Sequence, residues 1–382
     1  MNFDRLKDFL DYYLPMLGVP GSDTVIYRNH EEIFRHQSGF DNLKYRTPIR
    51  SDALYLMYSC TKIATCVAAL QLIERGEILI NDPLHIYFPE YKNLTVAKSG
   101  NDGKIKIEKA KNPLLIRHLF SMTSGLDYNI RRPSIERTKQ LTAGKCPTLD
   151  IVRAMASDPL VCEPGEKYNY GLSHDVLGGL VELISGMNLG EYMKKNIFDP
   201  LGMKDTTFEI TRDNYERLAC QYEYDSFGRC AVEVPKDSNI FRFGTNYQSG
   251  GAGLISTVDD FILLTDALAN GGVGKSGKRI LSAASVRLLA TCSISDEQKA
   301  SFEISHNIGY DYGLGVRVMR DPAVAGSLVP VGAFGWDGKK MTLSVSDPEN
   351  KIAIFHAESI DSMNSILIGR LMNVIYSCLE EV

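Results

Sequence analysis

Ser59-Cys60-Thr61-Lys62 opens a long apolar-patterned segment, Ile63-Ala64-Thr65-Cys66-Val67-Ala68-Ala69-Leu70-Gln71-Leu72-Ile73. The segment reads as a helix running to about Arg75 and stopping near Gly76. On a helix, a spacing of three puts Ser59 and Lys62 on one face, one turn apart. A serine hydroxyl is a poor nucleophile until a nearby base takes its proton. A lysine one turn away can take it if burial or a neighbouring positive charge lowers its pKa. Ser and Lys three apart also occur by chance in most proteins, so the meaning of the pair depends on the rest of the chain.

Working outward, 382 residues suffice for one large domain or two of ordinary size. A hydrophobic content of 44% and a charged content of 23% are those of a soluble globular protein. The net charge of −5 offers no basic surface for nucleic acid. The opening Met1-Asn2-Phe3-Asp4-Arg5-Leu6-Lys7-Asp8 lacks the pattern of a secretory signal, and no apolar run reaches the roughly 18 residues that span a bilayer. No membrane partner is expected, and the cytoplasm is the simplest location. The eight cysteines include no Cys-x-x-Cys pair, and the seven histidines do not cluster with them. No metal site and no cofactor are expected, and the thiols are read as free and mostly buried.

Phe3, Leu6, Phe9, Leu10, Tyr13 and Leu14 recur at three and four, as on an amphipathic helix. Gly18-Val19-Pro20-Gly21 breaks it. Strands are expected over Thr24 to Tyr27 and Glu32 to Gln37, with a turn at Arg28-Asn29-His30. Further helices are expected from Leu114 to Met122 and from Asp175 to Ile184, the latter stopped by Ser185-Gly186. Residues 205 to 248 are polar, aromatic-rich and weakly periodic, and read as a long connection or lid. Ser256 or Thr257 can cap a helix from Asp259 to Leu268. The end of the chain carries strands Met341 to Ser346 and Lys351 to His356 around the turn Asp347-Pro348-Glu349-Asn350, then an amphipathic helix from Ser362 to Leu379. The expected class is therefore α/β (α+β). Residues 1–58 and 245–382 meet in one sheet domain, residues 59–244 form a mostly helical lobe with a lid candidate at 205–244, and the site lies in the cleft between them.

Five stretches now stand in a recognisable order: Ser59-Cys60-Thr61-Lys62; Ile116-Arg117-His118-Leu119-Phe120-Ser121-Met122-Thr123-Ser124-Gly125-Leu126; Pro164-Gly165-Glu166-Lys167-Tyr168-Asn169-Tyr170; Gly250 to Thr257; and Phe334-Gly335-Trp336-Asp337-Gly338. With them the chain resembles the serine hydrolases of the class C β-lactamase, DD-peptidase and family VIII esterase group, over nearly its whole length. The resemblance implies a β-lactamase/transpeptidase-like fold, with an antiparallel sheet flanked by helices. It implies Ser59 as the acylated nucleophile and Lys62 with Tyr170 as the general-base network. It also implies an oxyanion hole made by the backbone N–H groups of Ser59 and Lys339.

Departures from the family pattern bear on the substrate. Asn usually stands two residues after the catalytic Tyr, but here the run is Tyr170-Gly171-Leu172. A Lys or His usually heads the third motif and helps hold a substrate carboxylate, but here the head is Trp336, followed by Asp337 and Gly338. An indole can donate one hydrogen bond but cannot pair by charge, and Asp337 would repel a carboxylate. Lys339 and Lys340 could offset this, depending on where they point. Both departures resemble the family VIII esterases. Trp336, Asp337, Gly338, Leu172 and His174 are the candidate substrate-binding residues.

Competing readings attach to several positions. Tyr168 and Tyr170 lie two apart, so only one faces the cleft if the segment is extended, and Tyr170 has the better spacing. His118 sits on a structural helix in the family. Cys60 reads as packing. The Gly250-Gly251-Ala252-Gly253 run lacks the Lys-Ser/Thr of a phosphate loop and reads as close backbone packing.

The expected function is a cofactor-independent serine hydrolase acting through an acyl-enzyme on a small-molecule ester or amide, foremost a carboxylesterase on small or apolar acyl esters. The alternatives are a β-lactamase or D-amino-acid peptidase, an acyltransferase, and a non-catalytic binding protein on the same scaffold. Nothing in the sequence indicates an oligomeric state.

Overall fold

The computed structural model describes residues 1–100, 103–226, 229–236, 240–303, 307–361 and 364–379. Eight strands form one antiparallel sheet. Their order is Tyr310–Tyr312, Arg317–Met319, Phe334–Asp337, Thr342–Asp347, Ile352–Ala357, Gly21–Arg28, Glu31–Asn42 and Thr47–Pro48. The early strand Gly21–Arg28 pairs with the late strand Ile352–Ala357, so residues from both ends of the chain meet at the middle of the sheet.

The sheet is covered on both faces because successive side chains on a strand point to opposite sides. Ile26 and Ile354, cross-strand partners, join Leu6, Leu10, Leu14, Leu371 and Ile375 in the cluster under the N- and C-terminal helices. Val25 and Phe355, the next pair, face the larger core, where Phe355 packs on Phe261 of helix Val258–Ala269, with ring centroids 4.9 Å apart. Thr257 caps that helix by accepting the Asp260 N–H, as its position before two acids predicts.

The expected helices form with small shifts: Thr61–Glu74, Ile116–Phe120, Ser173–Ser185 and Asn364–Leu379. The expected start of the last one, Ser362, lies outside the described residues. Gly186 ends its helix in the left-handed region at φ +68°. The N-terminal helix is less regular than its periodicity predicts. It widens to π-helical hydrogen bonding over Phe9–Tyr13 before resuming at Leu14–Met16. Pro15 has no N–H for the ladder, and the wide turn absorbs the missing bond.

Residues 205–248 differ from an open connection. They hold a hairpin of strands Gln221–Asp225 and Cys230–Val234, and the first of these also pairs in parallel with Ile360–Asp361. The outer strand, Cys230–Val234, is largely exposed despite its apolar residues, so its pattern marks no buried face.

Candidate active site

Ser59 lies in the single helical turn Tyr58–Cys60, directly before helix Thr61–Glu74. Tyr58, just before it, sits at φ +42°, a left-handed backbone that costs a non-glycine residue on the order of 1–3 kcal/mol. The surroundings hold the turn in place. Cys60 Sγ donates to the backbone carbonyls of Trp336 (3.4 Å) and Thr342 (3.3 Å), and Thr342 Oγ1 donates to the Met57 carbonyl (3.0 Å). Burial pushes the Cys60 thiol up to about 12, in keeping with a packing role.

Lys62 is 0% exposed. Its ammonium donates to Ser59 Oγ (3.0 Å), Tyr128 Oη (2.9 Å) and the Gly251 carbonyl (2.7 Å). Three donors meet three acceptors, which is the full capacity of a protonated lysine. Burial works against that charge, but Tyr128 and Tyr170 outweigh it and hold the Lys62 pKa above the ordinary lysine value. Tyr170 Oη lies 2.8 Å from Ser59 Oγ, and Lys62 Nζ sits 4.7 Å from the centre of the Tyr170 ring. Lys62 and Tyr170 are thus neighbours through ring and charge. The hydroxyl that Lys62 hydrogen-bonds besides Ser59 belongs to Tyr128.

Sequence reading missed Tyr128. The available signal was its place two residues past the Ser124-Gly125-Leu126 end of the second motif. Burial pushes its phenol up to about 12, against the pull of Lys62. Sequence reading also missed Asp175. Its buried carboxylate accepts from Tyr247 Oη and Ser249 Oγ, each at 2.6 Å, and so fixes the loop whose Gly251 carbonyl receives Lys62. A Cβ on Gly251 would lie 2.5 Å from Asp175 Oδ2, so glycine is required for this approach. This agrees with the close packing read from the Gly250-Gly251 run.

The third motif forms the opposite wall. Trp336 stacks on Tyr170, with centroids 5.6 Å apart, and its Nε1–H donates to Tyr170 Oη at 3.0 Å. Asp337 is paired with Arg317 at 2.5 Å. That guanidinium is 4% exposed and also lies 5.5 Å from the Trp336 ring centre. The repulsion expected of Asp337 toward a substrate carboxylate is therefore offset by a buried partner. After Gly338 the chain turns sharply. The Gly338 N–H donates to the Thr342 carbonyl (2.7 Å), the Met341 N–H donates to the Gly338 carbonyl (2.9 Å), and Met341 sits at φ +61°. A Cβ on Gly338 would lie 2.4 Å from the Met57 carbonyl. Gly338 thus shapes the turn and does not line the cleft. Lys339 and Lys340 diverge: Lys339 is exposed at the cleft, 3.5 Å from Asp361, and Lys340 is buried.

Two expected cleft residues are elsewhere. His174 is 0% exposed, with Nε2 3.4 Å from Cys66 Sγ, and burial holds it well below the ordinary histidine pKa. Leu172 is buried at the start of helix Ser173–Ser185. Both follow from that helix packing its first turn inward against helix Thr61–Glu74, a contact set by tertiary packing. His118 accepts the Leu115 N–H through Nδ1 at 3.2 Å and caps its short helix.

Ser59 opens into a cavity of about 710 Å³. Its walls include Tyr128, Tyr168, Tyr170, Phe241, Phe302 and Trp336, with Ile130 and Ile240 beside them. Tyr168 is buried in an aromatic cluster with Phe302 and Tyr312, which leaves Tyr170 as the tyrosine at Ser59.

The Beta-lactamase family model matches residues 6–359, and the chain belongs to that family, whose members include esterases and acyltransferases and are serine hydrolases. Esterase EstB of Burkholderia gladioli is 28% identical over 87% of this chain and 84% of its own. Protein Rv1367c of Mycobacterium tuberculosis is 28% identical over 88% of this chain and 85% of its own. The solved structure of EstCE1, described as a hydrolase with promiscuous acyltransferase activity, superposes with a TM-score of 0.78 at 22% identity, covering 98% of this chain and 97% of that one. At that identity the superposition speaks for the fold alone. Among the described residues no helix is long and apolar enough to cross a membrane.

Proposed function

We propose that this chain is a carboxylesterase that hydrolyses esters of apolar or aromatic acids through an acyl-enzyme on Ser59. The observation that carries this reading is the convergence of Tyr170 Oη and Lys62 Nζ on Ser59 Oγ, at 2.8 and 3.0 Å, on the wall of an aromatic cavity.

In the proposed mechanism Lys62 and Tyr170 have separate parts. Lys62 uses all three donors and keeps its charge, so it has no lone pair with which to take a proton. Tyr170 is the base. The Lys62 ammonium lies 4.7 Å from its ring centre, and the Trp336 N–H donates to its oxygen. As Ser59 Oγ attacks the ester carbonyl, its proton passes to Tyr170 and then to the leaving alcohol. The developing oxyanion takes the backbone N–H groups of Ser59 and Lys339, and each such donor contributes on the order of 2.7–4 kcal/mol in comparable sites. Water then repeats the sequence and releases the acid. The aromatic walls favour an apolar acyl group, and a tryptophan stands where a substrate carboxylate would need a cation. Both features weigh against β-lactam and D-peptide substrates.

The test is hydrolysis of a p-nitrophenyl ester chain-length series beside a chromogenic cephalosporin, with wild type and Ser59→Ala. Ester turnover that vanishes in the variant, with little cephalosporin cleavage, is the expected result. Efficient cephalosporin cleavage would overturn the substrate reading, and turnover that survives in Ser59→Ala would overturn the mechanism.

A further inference from the structure

Lys340 follows the residue whose backbone N–H is assigned to the oxyanion hole, and it points away from the cleft. It is 2% exposed, yet it carries an amine. That amine donates to the Tyr222 carbonyl at 2.5 Å, 118 residues away in the hairpin strand Gln221–Asp225. An ammonium is costly to bury, and filling this volume alone would be better served by methionine. What lysine adds is a strong hydrogen bond to a main-chain oxygen.

The receiving strand is itself anchored. The Tyr222 N–H donates to the Ser359 carbonyl (2.8 Å), and Tyr222 Oη donates to the Asp41 carbonyl (3.0 Å). On the other side, the Glu358 N–H donates to the Met341 carbonyl at 3.0 Å. The turn Gly338–Thr342 is thus held from two directions, with the strained Met341 between them. Glu223 and Asp361 supply negative charge near the amine, while burial holds Lys340 below the ordinary lysine pKa.

We propose that Lys340 is a positioning residue that clamps the oxyanion turn onto the 221–225 strand, so that the hairpin of the 205–248 segment sets the direction of the Lys339 N–H. The inference rests on the acyl-enzyme reading above. It adds to that reading a mechanical part for a segment that touches no reacting atom.

The experiment compares wild type, Lys340→Met and Lys340→Arg by the rate constant for fluorophosphonate labelling of Ser59 and by steady-state ester hydrolysis. Labelling needs no knowledge of the natural substrate and builds negative charge on an oxygen in the same hole. Lys340→Met is expected to lose ten- to a hundredfold in labelling rate and in kcat, with KM changed less than threefold. Lys340→Arg, which keeps a donor, is expected to recover most of both. A folded Lys340→Met with wild-type labelling and kcat would overturn the proposal, as would a loss confined to KM. If Lys340→Met does not fold, Lys340→Leu, which also lacks a donor, takes its place under the same criteria. Ester turnover that persists in Ser59→Ala would instead overturn the parent reading, so the two failures are distinguishable.

Discussion

The indole N–H of Trp336 donates to Tyr170 Oη at 3.0 Å, while the two rings stack with centroids 5.6 Å apart. Trp336 therefore contacts the hydroxyl proposed as the base as well as shaping the cleft. Trp336→Phe keeps the stack and removes the donor. A hydrogen bond to a charged group contributes about 1.5–3 kcal/mol. The variant should lose about tenfold or more in kcat with little change in KM, measured on the best p-nitrophenyl ester. An unchanged kcat would show that the N–H plays no part in stabilising the base.

Tyr128 is the third acceptor of Lys62. Tyr128→Phe leaves one ammonium donor unpaired in a buried site, and kcat should fall about tenfold. A pH profile adds an independent check. The folded Lys62 pKa is raised, so its contribution to stability is complete below the unfolded value of about 10.4 and is lost as pH rises through the folded value. Denaturant stability should show no Lys62-linked decline below about pH 10.4. A gain in stability as pH rises from about 8 to 10.4, removed by Lys62→Met, would show the opposite shift.

Asp175 holds two hydroxyls on a single carboxylate oxygen. Asp175→Ala leaves Tyr247 and Ser249 without their acceptor, and should cost about 3 kcal/mol in urea denaturation. Asp175→Asn keeps the acceptor oxygen and removes the charge near Lys62. It should retain most of the stability and lose about tenfold in kcat. Equal stability losses in both variants would assign the effect to the charge and not to the hydrogen bonds.

Burial, with a smaller effect of Arg117, lowers the His118 pKa to about 4. The unfolded chain binds that proton near 6.5, so folding releases it, and stability is lost as pH falls from about 6.5 toward the folded value. His118→Gln can keep the bond to the Leu115 N–H without titrating. Its melting temperature should fall less than that of wild type between those pH values. Parallel curves would exclude His118 as a source of acid sensitivity.

Much of the framework was legible along the chain because it rests on local patterns. The helix after Ser59, the glycine stop at Gly186, the cap at Thr257 and the late strand pair all follow from spacings of two to four residues. The 221–234 hairpin was not read, although Gln221–Asp225 alternates polar and aromatic residues; the alternation is only five residues long, and the partner strand Cys230–Val234 buries no residue fully. His174 and Leu172 were misplaced for a related reason. Position near a tyrosine in sequence does not say which way a helix turns its first residues, and packing against helix Thr61–Glu74 turned these inward.

Residue order alone gives the spacing of three between Ser59 and Lys62, and residues three apart lie together where the tight turn Tyr58–Cys60 runs into helix Thr61–Glu74. What Lys62 does there depends on the packed fold. Tyr128 comes from 66 residues away and the Gly251 carbonyl from 189 away, and together with Ser59 they occupy all three ammonium donors. The same holds for Asp337, whose charge is offset by Arg317 from a neighbouring strand. Protonation and charge compensation depend on burial and on which groups lie within a few ångströms, and those are set when the sheet and helices pack, not by residue order.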